Sequence, residues 1–212
     1  VCDDKPAVIK SRVYDEVMSV QTILVDERRY NVHCSDEGYV YFYHNVPFSN
    51  FWKCEPQLQF DGHSFNCSEA IFMYQKALLF DDKEYALKIV ETDNSTSFKS
   101  QDDRCKAVKE LGRKVRGFVQ EEWDSKCYGL MYNAVECKAK YDMEFRRVLL
   151  SPEYAGKTFV EATKLDKIWG IGISIKKAME VGRGGWKGQN LLGRALTELR
   201  DKLCPEFAVK GQ

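Results

Sequence analysis

Apolar positions recur along this chain with two different periods, and the period changes where turn residues stand. Gly38–Tyr43 alternates and is rich in aromatic residues, which predicts a strand. Leu58–Phe60 and His63–Phe65 flank Asp61-Gly62, and that dipeptide between two short apolar runs predicts a β-hairpin. Asn66-Cys67-Ser68 offers N-cap candidates, and a helix should follow through Glu69, Ile71, Phe72, Met73, Lys76 and Ala77. Further helices are expected from Asp81 to Val90, from Asp102 to Val115 and from Gln120 to Leu150, the last broken near Tyr141-Asp142 and stopped by Pro152. Lys157–Ala162 predicts a short strand, and Leu191–Leu203 a final helix. Val46–Trp52, Thr92–Ser100, Asp166–Gly172 and Gly182–Gly188 have no clean period and predict loops. The β-branched run Val20–Val25 suggests one more strand near the N-terminus.

Composition narrows the possibilities. A length of 212 residues suits one domain with a sizeable core. Lys plus Arg equals Asp plus Glu at 32 each, so the chain lacks the overall basic excess of a strongly electrostatic duplex-binding protein. Eight dispersed cysteines without a C-x-x-C pair, and three scattered histidines, argue against a zinc site and suit reduced intracellular thiols. No apolar run is long enough to span a membrane, and no signal peptide is visible, so a cytoplasmic place is expected, with the nucleus as the alternative. No cofactor or metal is expected, and the oligomeric state is open.

Candidate chemistry concentrates on the helix after the hairpin. Glu69 and Lys76 stand seven residues apart, two helical turns, so a carboxylate and an amine project from nearly the same side among apolar neighbours. Such a pair can do acid, base or nucleophilic work. It can equally be a structural ion pair, and Lys76 a snorkelling surface lysine. Polar and aromatic residues also gather in the predicted loops: Asn50-Phe51-Trp52, Gly112-Arg113, Asp166 with Trp169, and Trp186 with Asn190. Loops on a rigid frame commonly carry function. Gly170 and Gly172, flanking Trp169 and Ile171, would let backbone approach a ligand, and Asn190 precedes a helix N-terminus, a place that suits anions. Each feature also has a structural alternative: Trp169 as core, Gly112 as a helix end, Gly184-Gly185 as a loop.

In combination the motifs are more specific. Ser49-Asn-Phe51, Ser68-Glu69, Gln75-Lys-Ala77, Leu111-Gly-Arg113, Val160-Glu161, Asp166-x-x-Trp-Gly-x-Gly172 and Asn190-x-Leu-Gly193 with Glu198-Leu-Arg200 resemble, in order and spacing, the NADAR family, also called YbiA-like. The likeness runs from about Tyr41 to Leu203. It divides the chain into an N-terminal extension over 1–38, the domain over 39–205 and a tail over 206–212. Two positions depart from the family's habit: Ala70, where His usually follows Ser-Glu, and Lys138-Ala139, where Lys-Phe is usual.

The resemblance implies an α+β fold, one compact and mostly helical domain with a small antiparallel sheet. It also implies an N-glycosidase acting on ribosides, with Glu69, Lys76 and Asp166 in catalytic roles. Asn50, Phe51, Trp52, Arg113, Trp169, Gly170, Gly172 and Asn190 would bind the substrate. Glu69 would stabilise the oxocarbenium ion or activate water, and a desolvated Lys76 would form a Schiff base with the opened sugar. Two substrate classes go with the family: ADP-ribose on guanine in DNA, the preferred expectation, and a ribosylated pyrimidine intermediate of riboflavin synthesis. A non-catalytic ADP-ribose reader is the third alternative. Turnover should be metal-independent.

Overall fold

The structure, a computed structural model, describes residues 32–208. The expected strand at Val20–Val25 lies outside them. Within them, five strands and seven α-helices follow in the order β1 (Val32–Cys34), β2 (Tyr39–Phe42), β3 (Leu58–Phe60), β4 (His63–Phe65), α1 (Ser68–Leu79), α2 (Lys83–Asn94), α3 (Gln101–Arg113), α4 (Gln120–Tyr141), α5 (Met143–Leu149), β5 (Thr158–Glu161), α6 (Ile175–Val181) and α7 (Leu191–Leu203). This is the α+β, mostly helical architecture that the sequence led us to expect.

The main sheet runs β1-β2-β5, and it is mixed rather than purely antiparallel. β1 pairs antiparallel with β2, whereas β5 pairs parallel with β2 in the register Val40↔Phe159 and Tyr41↔Val160. Because side chains alternate along a strand, the two faces go to different cores. Val40, Phe42 and Phe159 join the main apolar cluster with α1, α3, α4, α5 and α7. Tyr41 and Val160 face the other way, into a smaller cluster with Ile171, Ile173 and Ala178. β3 and β4 form the expected hairpin, with Asp61 (φ 50) and Gly62 (φ 76) both in the left-handed region, as a tight two-residue turn requires.

α1 is the buried axis of the molecule and packs against α2, α3 and α4. It starts within the expected Asn66–Ser68 segment, but without a side-chain cap of its own. Cys67 occupies the N-cap position and makes no side-chain capping bond. The cap comes from a distant loop instead: the Glu69 N–H donates to the Asn50 carbonyl at 3.1 Å, and the Ser68 hydroxyl donates to Asn50 Oδ1 at 3.0 Å. α3 can approach α1 closely because Gly112 has no side chain. A Cβ there would sit 2.1 Å from Met73 Sδ, so Gly112 is a helix-crossing contact rather than a simple helix end.

Other boundaries shift for local reasons. α2 runs to Asn94, so the loop expected from Thr92 starts later, and α3 stops at Arg113, short of Val115. The break at Tyr141-Asp142 is present: Asp142 leaves helical geometry and its carboxylate accepts the Phe145 N–H at 2.9 Å, capping α5. α6 has no counterpart among the expected helices. At seven residues it is too short to show a full apolar period, and it is started by the Ser174 hydroxyl accepting from the Lys177 N–H.

Candidate active site

Two helices and one strand end bring together the charged groups. α1 presents Glu69 in its first turn, α3 presents Lys109 and Arg113 one turn apart near its last turn, and β5 ends at Glu161. The loop after β5 adds Asp166. Glu69 is buried, 4% exposed, and its Oε1 has no hydrogen-bond partner among the described residues. The nearest cation is Lys109, with Nζ 3.9 Å from that oxygen. Burial pushes the Glu69 carboxyl above the usual carboxylate range; Asp166 adds to the rise, and Lys109 and Arg113 oppose it. Glu161 is pushed up to about 8, first by burial and then by Asp166 and Glu69, with Lys109 opposing. Burial and the neighbouring negative charges act in the same direction on Glu69 and Glu161, disfavouring ionisation of both.

Lys76 does not pair with Glu69. Its amine lies against aromatic rings, 4.5 Å from the Phe118 centroid and 5.0 Å from that of Trp123. Desolvation there, and then the Arg113 guanidinium, lower its pKa. A single aromatic wall connects this amine to the loop after β5. Trp123 meets Phe72 at 5.3 Å between ring centroids, and Phe72 meets Trp169 edge-on at 5.1 Å. Phe51 borders the cluster, with Lys109 Nζ 5.9 Å from its ring centroid. Trp52 packs against the main apolar cluster.

Four expected binding residues are occupied in holding the frame. Asn50 is the cap of α1, and its amide nitrogen donates to Met131 Sδ at 3.2 Å. Asn190, 3% exposed and left-handed at φ 56, uses its side-chain amide as a strap on β5. Oδ1 accepts from the Glu161 N–H at 3.0 Å, and Nδ2 donates to the Phe159 carbonyl at 2.9 Å. Gly170 lets the loop lie on the strand end, since a Cβ there would come within 2.8 Å of the Glu161 carbonyl. Gly172, at φ +69, closes the turn by donating its N–H to the Asp166 carbonyl at 3.1 Å. The Asp166 carboxylate accepts the Ile168 and Trp169 N–H groups at 2.9 and 2.8 Å through one oxygen, which fixes the loop and leaves the second oxygen to act on the cluster. Arg113 is exposed and pairs with Glu110 on its own helix.

Sequence reasoning missed Lys109, Glu161, Phe118 and Trp123. Lys109 had a signal: it stands four residues before Arg113, on the same face of one helix. Glu161 stood in a quoted motif with no role given to it. The aromatic pair of Lys76 lies across a loop and a separate helix, and no local spacing marks it. The position of Ala70, 0% exposed inside the main cluster, and that of Ala139, also in that cluster, are packing positions. Among the described residues no three His, Cys, Asp or Glu side chains gather to hold a metal ion.

Comparison with known proteins agrees with this architecture. The chain is 35% identical over 135 residues to "N-glycosidase R617" of Acanthamoeba polyphaga mimivirus, covering 64% of this chain and 72% of that one. It is 34% identical over 160 residues to "Protein irg-1" of Caenorhabditis elegans, covering 74% and 69%. It is 29% identical over 161 residues to "N-glycosidase YbiA" of Escherichia coli, covering 75% and 82%. The NMR structure of E. coli YbiA superposes with a TM-score of 0.58 at 27% identity, over 85% of this chain and 92% of that one. The NADAR domain matches residues 41–204, and with that match this chain belongs to the NADAR family.

Proposed function

We propose that the protein is an N-glycosidase that removes ADP-ribose from guanine bases of DNA. The N-glycosidase names of the viral and bacterial relatives support the reaction class. The observation that carries the site is the buried Oε1 of Glu69, which has no hydrogen-bond partner among the described residues and lies 3.9 Å from Lys109 Nζ, with the nearby Glu161 carboxyl pushed up to about 8. A buried polar atom with no partner is costly unless a ligand completes it. Cleavage of an N-glycosidic bond needs two things there: negative charge beside the anomeric carbon and a proton for the departing base. Glu69, with Lys109 opposing the rise of its pKa, supplies the first. Glu161 supplies the second, and Asp166 sets the electrostatics of both. In this reading Phe51, Trp52 and Trp169 stack on a ring of the substrate and Arg113 meets a phosphate.

Lys76 is the nucleophile in this scheme, its lowered pKa making the neutral amine accessible. Its nitrogen bonds to ribose C1 as the bond from C1 to guanine breaks, and guanine leaves with the proton of Glu161. The C1–O4 bond then opens, one proton of the attached nitrogen passing to O4, to give a protonated Schiff base. Water, activated by Glu69, adds to that carbon, and the C–N bond to Lys76 breaks, returning the amine and releasing ADP-ribose. The reaction consumes one water and needs no metal. The test is incubation of guanine-ADP-ribosylated oligonucleotide in excess chelator, with borohydride in a parallel arm. The expected result is free ADP-ribose, unmodified DNA and a reduced adduct that is missing in Lys76→Ala. Base release from a ribosylated pyrimidine in place of the DNA would move the substrate to riboflavin synthesis, and binding without release would make the protein a reader.

The proton on Glu161 sets the pH profile. Its carboxyl is the acid, so kcat/KM should fall as pH rises through about 8. The opposing, rising limb belongs to deprotonation of Lys76, whose pKa burial and the Arg113 guanidinium hold below the ordinary lysine value. Glu161→Gln should reduce kcat and remove the alkaline limb. A limb unchanged in that variant would place the departing proton elsewhere.

A further inference from the structure

The chain is neutral overall, but its charge is not evenly spread. Residues 164–194 hold seven basic side chains (Lys164, Lys167, Lys176, Lys177, Arg183, Lys187 and Arg194) against Asp166 and Glu180 alone. Lys177 pairs with Glu180 at 3.2 Å, and Arg194 approaches Glu198 at 4.0 Å. Lys164, Lys167, Lys176, Arg183 and Lys187 are exposed and carry no salt bridge among the described residues. The fold gathers them. A Cβ on Gly172 would touch both Lys167 Cγ and Lys187 Cβ, at 2.9 and 3.2 Å, so these two stems flank one turn. That turn is fixed by the Lys187 N–H donating to the Ile171 carbonyl at 2.9 Å and the Gln189 N–H donating to the Lys167 carbonyl at 2.8 Å. On one side, Arg183 and Arg194 line a 520 Å³ groove with Tyr39, Thr158, Trp186 and Gln189, and no carboxylate lines it. Trp186 stands edge-on to Tyr39 at 5.3 Å. On the other side, Lys164 and Lys176 stand at the rim of a second, mainly apolar groove that Leu165, Ile175 and Met179 line together with Glu180.

We propose that this face is a binding surface for single-stranded nucleic acid, with Arg183 and Arg194 on backbone phosphates and the Trp186–Tyr39 groove receiving a base. Exposed cations along a track beside an aromatic groove are what such a strand recognises. Phosphate contacts made by Arg and Lys position the strand and do not read its sequence. The Asp166–Gly172 turn between the cations is the one that orders Trp169, and Asn190 ties the arginine groove to Glu161. This face therefore shares the Asp166–Gly172 turn and the Asn190 strap with the carboxylate cluster. The proposal deepens the reading of the protein as an enzyme acting on DNA, and it is tested without chemistry.

The measurement is fluorescence anisotropy of a short labelled oligothymidylate, unmodified, titrated with the full chain at several salt concentrations. Wild type should bind with a salt-dependent affinity. The Arg183→Ala/Arg194→Ala double variant should bind about tenfold more weakly or worse. Its log–log salt slope should flatten by about 1.4, since each single-strand phosphate that a cation neutralises adds about 0.7 to that slope. Glu69→Gln should bind like wild type, and the double variant should keep its circular dichroism spectrum and melting temperature. Labelled oligouridylate in a second arm separates DNA from RNA as the source of the backbone, and equal binding of both leaves the surface intact. An oligonucleotide affinity unchanged in the double variant overturns the proposal. So does the absence of oligonucleotide binding at low salt, including the case where vesicles of anionic phospholipid bind in its place. If the surface fails while ADP-ribose release persists, the catalytic reading stands alone; if binding holds and release is absent, the surface stands alone.

Discussion

Glu69→Gln should lower kcat by about 10²- to 10⁴-fold, the range for losing a positioned acid–base group, while the protein melts no lower than wild type. Most substitutions at a 4% exposed position cost stability, so the pairing of these two results is diagnostic. The cause is electrostatic. The carboxylate sits at the N-terminus of α1, where the helix dipole favours negative charge, but its Oε1 has no hydrogen-bond partner among the described residues and its cation is 3.9 Å away. The glutamine amide fills the same volume without a charge to desolvate. The sign of the pH dependence follows. Folding raises this carboxyl above its unfolded value, so between the unfolded and folded pKa the native state holds more protons than the unfolded chain. The stability that Glu69 contributes is therefore full below the unfolded value near 4.3 and is lost as pH rises through the folded one. Melting curves of wild type and variant should coincide at acid pH and separate toward neutral pH, the variant being the more stable. Turnover within about tenfold of wild type would show that Glu69 is not the reacting carboxylate.

The sequence pattern carried most of the helices and the hairpin because those elements depend on local rules. Leu191–Leu203 shows a helical apolar face of its own, and Asp61-Gly62 fits few structures other than a tight turn. Glu69 itself was also readable, since a carboxylate in the first turn of an otherwise buried helix is unusual. Its partner was misread. Two turns along the same helix lies Lys76, but that amine is turned against Phe118 and Trp123, and the charge that meets Glu69 comes from Lys109, forty residues on, through the α1–α3 crossing at Gly112. The parallel pairing of β2 with β5 spans over a hundred residues of intervening chain, and no local signal encodes it. The acidity of the cluster depends on that pairing, because it sets the end of β5 where Glu161 stands. The family likeness joined Asp166, Trp169, Arg113 and Asn190 in one pocket; in the fold Asp166 orders the Trp169 loop, Arg113 pairs with Glu110 and Asn190 straps β5. The likeness could not separate residues that would touch a ligand from residues that hold those residues in position.

Asn190 is the sharpest case of that distinction, and its removal should have the largest effect on stability. In the sequence it looks like an anion-binding residue at the start of a helix. In the fold both ends of its amide are already used on β5, and its backbone is left-handed, which Asn tolerates better than Ala. Asn190→Ala leaves the Glu161 N–H and the Phe159 carbonyl without partners in a place that water does not reach easily, at about 1–3 kcal/mol each, with a further cost of about 1 kcal/mol for the left-handed backbone. A loss of about 3–7 kcal/mol corresponds to a fall in melting temperature of roughly 6–28 °C in a domain of this size. Catalysis should fall too, since the strap sets the position of Glu161, and the loss should appear in kcat. Asn190→Gly should recover the backbone part alone. Asn190→Asp should be no better than Ala, because it keeps an acceptor for Glu161 but turns a carboxylate oxygen toward the Phe159 carbonyl. A variant with an unchanged melting temperature and a raised KM would return Asn190 to direct contact with substrate, and the strap would then be incidental.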